Sequence, residues 1–152
     1  MPNWCSNHIE LMGPRDKIEK VFGKAKEENK LLELLVPFPD GEYDRDFAIN
    51  HWGTKWDVDI EGLDFEPDGD YSRISGYIDS AWGPPTEALH TWLEDNPDCE
   101  AQLLYYEPAM DFAGSMDGEI TISECEDEYF TKTELGELLD SHFGILDYRL
   151  EE

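Results

Sequence analysis

Trp56-Asp57-Val58-Asp59-Ile60-Glu61-Gly62-Leu63-Asp64-Phe65-Glu66-Pro67-Asp68-Gly69-Asp70, running on into Tyr71 to Trp82, is the stretch that decides the fold class. Trp56 to Glu61 alternates apolar and acidic side chains with period two, the pattern of a half-buried strand with its carboxylates outward. Gly62 reads as a bulge or bend before Leu63 and Phe65. Pro67-Asp68-Gly69-Asp70 is a turn, because proline pre-sets the first turn residue and glycine accepts the left-handed one. Tyr71 to Trp82 then returns with Ile74, Gly76, Ile78 and Trp82 on one face, which predicts a hairpin.

Working outward, Trp4 to Met12 reads as a strand with Cys5, Asn7, Ile9 and Leu11 on one side. Pro14 suits the first turn of a helix whose Ile18, Val21, Phe22 and Ala25 form one apolar stripe. Leu31 to Phe38 is an apolar run too short to classify, and residues 37–50 read as a long loop or insertion. After the hairpin, Pro84-Pro85-Thr86-Glu87 opens a helix carrying Leu89, Trp92 and Leu93, closed by Asn96-Pro97. Ala101 to Tyr106 is a further strand, and Glu119 to Ser123 another beyond a connection over 108–118. Leu135, Leu138, Leu139 and His142 suggest a last helix ended by Gly144, with Ile145 to Leu150 as a terminal strand.

The order strand, helix, strand, strand, helix, strand predicts an α+β, ferredoxin-like split β-α-β: an antiparallel sheet with helices on one face, plus a C-terminal extension over 115–152. A chain of 152 residues fits a single domain, and its five Trp, seven Tyr and seven Phe can fill one core.

The formal charge of -26 excludes whole classes of partner. Nucleic acid is bound by lysines and arginines that displace counterions, so direct binding is not expected, and an anionic membrane is disfavoured on the same ground. The charge is uneven. Arg15, Lys17, Lys20, Lys24, Lys26 and Lys30 make residues 14–30 slightly basic, whereas Ile74 to Thr131 holds fourteen Asp and Glu and no Lys or Arg. Asp117, Glu119, Glu124, Glu126, Asp127 and Glu128 are the candidate acidic partner surface. Cys5, Cys99 and Cys125 form no CxxC pair, which points to a reduced, cytoplasmic setting. No signal peptide or membrane span is expected from the sequence.

Motifs for catalysis and cofactors are weak. Asp57-x-Asp59-x-Glu61-Gly62 superficially copies a calcium loop, but Val58 and Ile60 mark a strand, not a helix-flanked loop. His8, His51, His90 and His142 show no zinc spacing, and only His90-Thr91 of the comparison with two-histidine phosphoesterases carries the hydroxyl that chemistry needs. There is no Gly-x-Ser-x-Gly elbow and no phosphate loop. No catalytic residue, metal site or cofactor is assigned.

The chemically distinctive stretch is Asn50-His51-Trp52-Gly53-Thr54-Lys55-Trp56-Asp57, where two indoles bracket a lone cation in acidic surroundings. Two readings are open. The indoles can be packing residues, with Lys55 paired to a carboxylate. Alternatively Asn50, Trp52, Thr54, Lys55, Trp56, Asp57, Trp82 and Tyr106 form a recognition site for a ligand or partner.

Met1-Pro-Asn-Trp-Cys-Ser-Asn7, Asn50 to Asp57, Ala81-Trp-Gly-Pro-Pro85 and Tyr105-Tyr-Glu-Pro-Ala-Met-Asp-Phe-Ala-Gly114 together resemble the phage- and plasmid-encoded Api-like proteins with a ferredoxin-like domain. The resemblance spans residues 1–114 and departs from the commoner Ala-Trp-Ser-Pro-Pro at Gly83. It implies a fold and a mobile-element origin, and no activity. The expected function is therefore that of a non-enzymatic acidic protein which binds a host protein in the host cytoplasm, its carboxylates standing in for nucleic-acid phosphates. The alternative is a small-ligand-binding protein or enzyme with a cleft around Trp52, Lys55, Trp56 and Trp82.

Overall fold

The computed structural model describes residues 3–151; Met1 and Pro2, which belong to the first of the resemblance motifs, and Glu152 lie outside the described residues. The chain forms a six-stranded antiparallel sheet with helices, in the strand order β2-β3-β1-β4-β5-β6. The strands are β1 (Trp4–Pro14), β2 (Leu63–Asp68), β3 (Tyr71–Ala81), β4 (Glu100–Glu107), β5 (Phe112–Ser115) and β6 (Gly118–Thr121). With α1 (Arg15–Glu28) joining β1 to β2 and α4 (Thr86–Asp95) joining β3 to β4, the first four strands form the ferredoxin-like split β-α-β.

The central strand shows why. Cys5, Asn7, Ile9 and Leu11 of β1 are wholly buried, while the residues between them are only partly covered. Their face meets Ile18 and Ala25 of α1, Ala88, Leu89 and Trp92 of α4, Ile74 and Ile78 of β3, and Leu103 and Tyr105 of β4. Each aliphatic side chain sealed there contributes about 1.5–3 kcal/mol. β1 and β3 pair along their whole length, from Trp4 opposite Ala81 to Pro14 opposite Tyr71.

A second apolar cluster lies on the other side of the sheet. Ala113, Ile122, Phe130, Leu139 and Ile145 are buried there, with Leu104 and Tyr106 of β4 packed against them. Neighbouring β4 residues point to opposite faces, so Leu104 and Tyr106 face α5 (Tyr129–Lys132), α6 (Glu134–Phe143) and α7 (Ile145–Glu151). The sheet is thus covered on one face by α1 and α4 and, toward the β4 to β6 end, on the other face by the C-terminal helices.

Three sequence expectations are corrected. Trp56 to Glu61 is not a strand: Val58 and Ile60 are buried as alternation required, but their backbone bonds side chains, with Ile60 N–H donating to Asn29 Oδ1 at 3.1 Å and Val58 N–H to Asp57 Oδ1 at 2.8 Å. The hairpin's first strand is β2 instead, where Gly62 and Gly76 let two backbones approach so closely that a Cβ on either would strike the opposing chain. Residues 37–50 are not wholly loop, because α3 (Arg45–His51) begins there, capped by the Asp44 carboxylate accepting from Phe47 N–H at 3.1 Å. Ile145 to Leu150 is helical rather than a strand. Leu146 N–H is held by Asp140 Oδ1 at 2.8 Å, and the Arg149 guanidinium donates to the Ile122 and Cys125 carbonyls, each at 2.8 Å. Among the described residues no helix is long and apolar enough to cross a membrane.

Candidate functional site

The segment after α3 turns at Gly53, whose φ of 87° is left-handed and whose Cα lies so near the Pro84 carbonyl that a Cβ would come within 2.8 Å of it. This crossing sets residues 52–55 against the end of β3. Thr54 is buried and its Oγ1 donates to the Ala81 carbonyl at 2.8 Å. Trp52 is 1% exposed, its Nε1–H donates to the Val36 carbonyl at 2.9 Å, and its ring lies 4.8 Å from Phe38. Both residues hold the crossing in place and neither reaches solvent.

Asp57 is also engaged internally. Its Oδ1 accepts from the N–H groups of Leu31 and Leu32 at 2.8 Å and its Oδ2 from Glu33 N–H at 2.9 Å, so the carboxylate covers the start of α2 (Leu32–Leu35).

The remaining members form a surface. Trp82 follows β3 with a left-handed φ of 74° and is 43% exposed. Its turn is held from below: Asn7 Nδ2 donates to Ser80 Oγ at 2.9 Å, Ser80 Oγ donates to the Gly83 carbonyl at 2.6 Å, and Trp82 N–H donates to the Asn3 carbonyl at 2.8 Å. Lys55 Nζ lies 4.6 Å from the Trp82 ring centre and 4.8 Å from that of Trp56, and the Arg45 guanidinium is 5.6 Å from Trp82 on its own approach. Trp56 in turn lies 6.2 Å from Trp4, which is 47% exposed. Tyr43, also exposed, donates from its hydroxyl to the Lys55 carbonyl at 2.6 Å. Neither Lys55 nor Arg45 forms an ion pair with a carboxylate among the described residues, although Arg15, Lys17, Lys30, Arg73 and Arg149 all do. Lys20, Lys24, Lys26 and Lys132 have no such pair either, so what sets Lys55 and Arg45 apart is that both lie over the Trp82 ring.

Trp4 also borders a groove of about 690 Å³ whose other lining residues include Asp59, Glu61, Tyr77 and Asp79. The aromatic surface thus continues into an acidic one.

Asn50 is exposed on α3, and Tyr106 is on the opposite face of the sheet, its ring stacked 5.6 Å from Phe143. The structure therefore brings Lys55, Trp56 and Trp82 together on the surface, seals Trp52 and Thr54 beneath them, ties half-buried Asp57 to backbone N–H groups at the edge of the groove and sets Tyr106 apart. Asp117 and Glu119 lie on the β5–β6 hairpin, where Glu119 accepts from Tyr105 Oη at 3.1 Å. Glu124, Glu126, Asp127 and Glu128 follow in the turn after β6, and Asp127 is paired with Arg149 at 2.7 Å.

Sequence reasoning missed Tyr43, Arg45 and Trp4 as members of the surface, and missed a histidine pair. His8 and His142 stack with ring centres 4.0 Å apart, and His142 Nδ1 is 2.9 Å from the Tyr77 hydroxyl. Burial first, then the neighbouring His142, hold the His8 imidazole below its ordinary range, against an opposing pull from Glu10. The pair fastens α6 to β1 and β3. Burial likewise pushes the Cys5 thiol up to about 12 and the Cys99 thiol up to about 11, which makes both poor nucleophiles. Among the described residues no group of three or more His, Cys, Asp or Glu is gathered as for a metal ion.

Comparison with protein-family models, with characterised proteins and with solved structures finds no match.

Proposed function

We propose that this chain is a non-enzymatic acidic binding protein that docks on a host protein, taking a basic surface of the kind that otherwise holds nucleic acid. The observation that supports it most is the cluster of exposed Trp4, Trp82 and Arg45 around half-buried Lys55 and Trp56, continuous with the acidic groove of Asp59, Glu61 and Asp79. Tryptophan, tyrosine and arginine are the residues that most often anchor protein interfaces, and a surrounding ring of charge gives fast, salt-sensitive association. Trp82 held in a left-handed conformation by a buried Asn7–Ser80 network is a preorganised anchor, so little side-chain freedom is lost when a partner covers it. The phage and plasmid resemblance makes a host protein acting in the host cytoplasm the natural partner class.

The test is capture of a host protein on the immobilised chain at low salt, followed by its identification and a competition with duplex DNA. A partner released by DNA and by raised salt, and bound at least about tenfold more weakly by Trp82→Ala, supports the proposal. A partner indifferent to DNA, or one bound equally by Trp82→Ala, refutes it.

A further inference from the structure

The outer edge of β4 is only half covered. On one side β1 pairs with it from Glu100 to Tyr106, but on the other side β5 pairs only with Leu104 to Glu107. Glu100, Ala101, Gln102 and Leu103 therefore have a strand on one side alone among the described residues, and no turn or loop backbone bond reaches them. In an antiparallel strand every second residue turns its N–H and C=O outward, so this edge presents unpaired backbone groups. The sheet's terminal edge at β2 is guarded differently, by Asp64, Glu66, Pro67 and Asp68.

The open edge lies within a groove of about 1030 Å³. Leu93 of α4 lines it from one face of the sheet, Leu135 and Leu138 of α6 line it from the other, and Met116 of the β5–β6 turn stands at the end where β5 stops. Leu138 is 43% exposed. The charged residues of the lining are Glu10, Asp117 and Glu134, and no Lys or Arg is among them.

We infer that the open half of β4 is a strand-addition site for an extended, basic segment of a partner protein. Such a segment would continue the line of β5 and bond the outward backbone groups of residues 100–103. Its side chains would alternate, apolar ones entering beside Leu135 and Leu138 or beside Leu93 and Met116, as strand periodicity dictates. Its lysines or arginines would meet Glu10, Asp117 and Glu134. A second copy of this chain is disfavoured as the occupant, since it would bring its own net charge of -26 against the same carboxylates. The site shares no residue with the Trp82 surface and stands whether or not that surface binds a partner.

The probe is a short synthetic peptide alternating lysine and leucine, titrated at low salt into the full-length, isotopically labelled protein. Amide hydrogen exchange is expected to slow at alternate residues of Glu100 to Leu103. The same peptide methylated on every second backbone nitrogen is expected to bind at least about tenfold more weakly, because it cannot complete the ladder. Leu138→Asn and Glu134→Lys, both at exposed positions that leave the fold intact, should each weaken binding several-fold, whereas Trp82→Ala should leave it unchanged. Equal binding of the methylated peptide would mean that charge alone attracts it and would overturn the inference. So would absence of binding, slowed exchange confined to other strands, or equal binding of a peptide alternating glutamate and leucine.

Discussion

Trp52 and Trp82 are the same side chain placed to opposite ends, and alanine at each position separates scaffold from surface. Trp52→Ala empties a site that is 1% exposed, removes packing on Phe38 and orphans the Val36 carbonyl that Nε1–H now satisfies. Buried Trp to Ala changes cost about 3–5 kcal/mol, a large part of the roughly 5–15 kcal/mol that holds a domain together. Trp82→Ala removes a 43% exposed ring and its contacts with Lys55 and Arg45. Exposed cation–π contacts are worth about 0.5–1 kcal/mol each, so about 1–2 kcal/mol is expected. The φ of 74° burdens tryptophan and alanine alike and cancels from that difference, but glycine escapes it. Relief of a left-handed residue is worth about 1–2 kcal/mol, set against about 0.4–1 kcal/mol for the freer unfolded chain, so Trp82→Gly should be as stable as Trp82→Ala or more so. Urea denaturation followed by far-ultraviolet circular dichroism reads all three variants from the midpoint at constant slope. Equal losses for Trp52→Ala and Trp82→Ala, or a Trp82→Ala clearly more stable than Trp82→Gly, would refute the assignment of roles.

Three further outcomes follow from the same geometry. Because His8 is held below its ordinary range, the unfolded chain takes up its proton first as pH falls; stability from this group is present at high pH and is lost as pH drops from the unfolded value toward the folded one. His8→Gln should therefore flatten the stability profile as pH falls through and below the ordinary imidazole range of about 6.5, relative to the parent chain, and parallel profiles would exclude the effect. Gly76→Ala would drive a Cβ into the Gly62 carbonyl and is expected to cost more than about 3 kcal/mol, whereas Gly69→Ala, left-handed but in open space, should cost only about 1–2 kcal/mol by thermal denaturation; a reversed order would mean that the β2–β3 approach is looser than described. Asp57→Ala strips the carboxylate from four N–H groups, three around α2 and that of Val58, and should cost about 2 kcal/mol or more while leaving the Trp82 surface able to bind, so loss of partner affinity without loss of stability would move Asp57 from the scaffold to the site.

The fold was legible where local pattern and tertiary pairing agree. The β1 alternation, the α1 stripe and the proline-bounded α4 all carry their own signal, and so does the hairpin turn, although it falls on Gly69 and Asp70 while Pro67 and Asp68 remain paired in β2. Trp56 to Glu61 shows what alternation cannot say: it reports burial, and Val58 and Ile60 are indeed buried, but a strand also needs a partner edge. That edge is used by Leu63 to Asp68, which the paired glycines allow close to β3. β5 was missed because its four residues, Phe112 to Ser115, are too few for a period and include a glycine. The last helix was missed because its apolar residues suit either period, and the choice is made at a distance by Arg149 reaching the Ile122 and Cys125 carbonyls.

The candidate surface was half legible for a different reason. A cation among carboxylates is visible in sequence, but what it touches depends on the Gly53 crossing, which brings residue 55 to residue 82. Lys55 had carboxylates in plenty to choose from, since 37 Asp and Glu face only 11 Lys and Arg. That it rests on two indoles instead, with Arg45 on the same ring, leaves both cations without a fixed counter-charge. A surface ion pair is worth at most about 1 kcal/mol, so the arrangement forgoes little stability. What it gains is a positive, aromatic point in an otherwise negative field, able to accept a carboxylate or an aromatic side chain from a partner whose basic residues are drawn to the acid around it. Lys55→Glu would invert that point without touching the core, which makes charge reversal there a sharper probe of recognition than truncation of either indole.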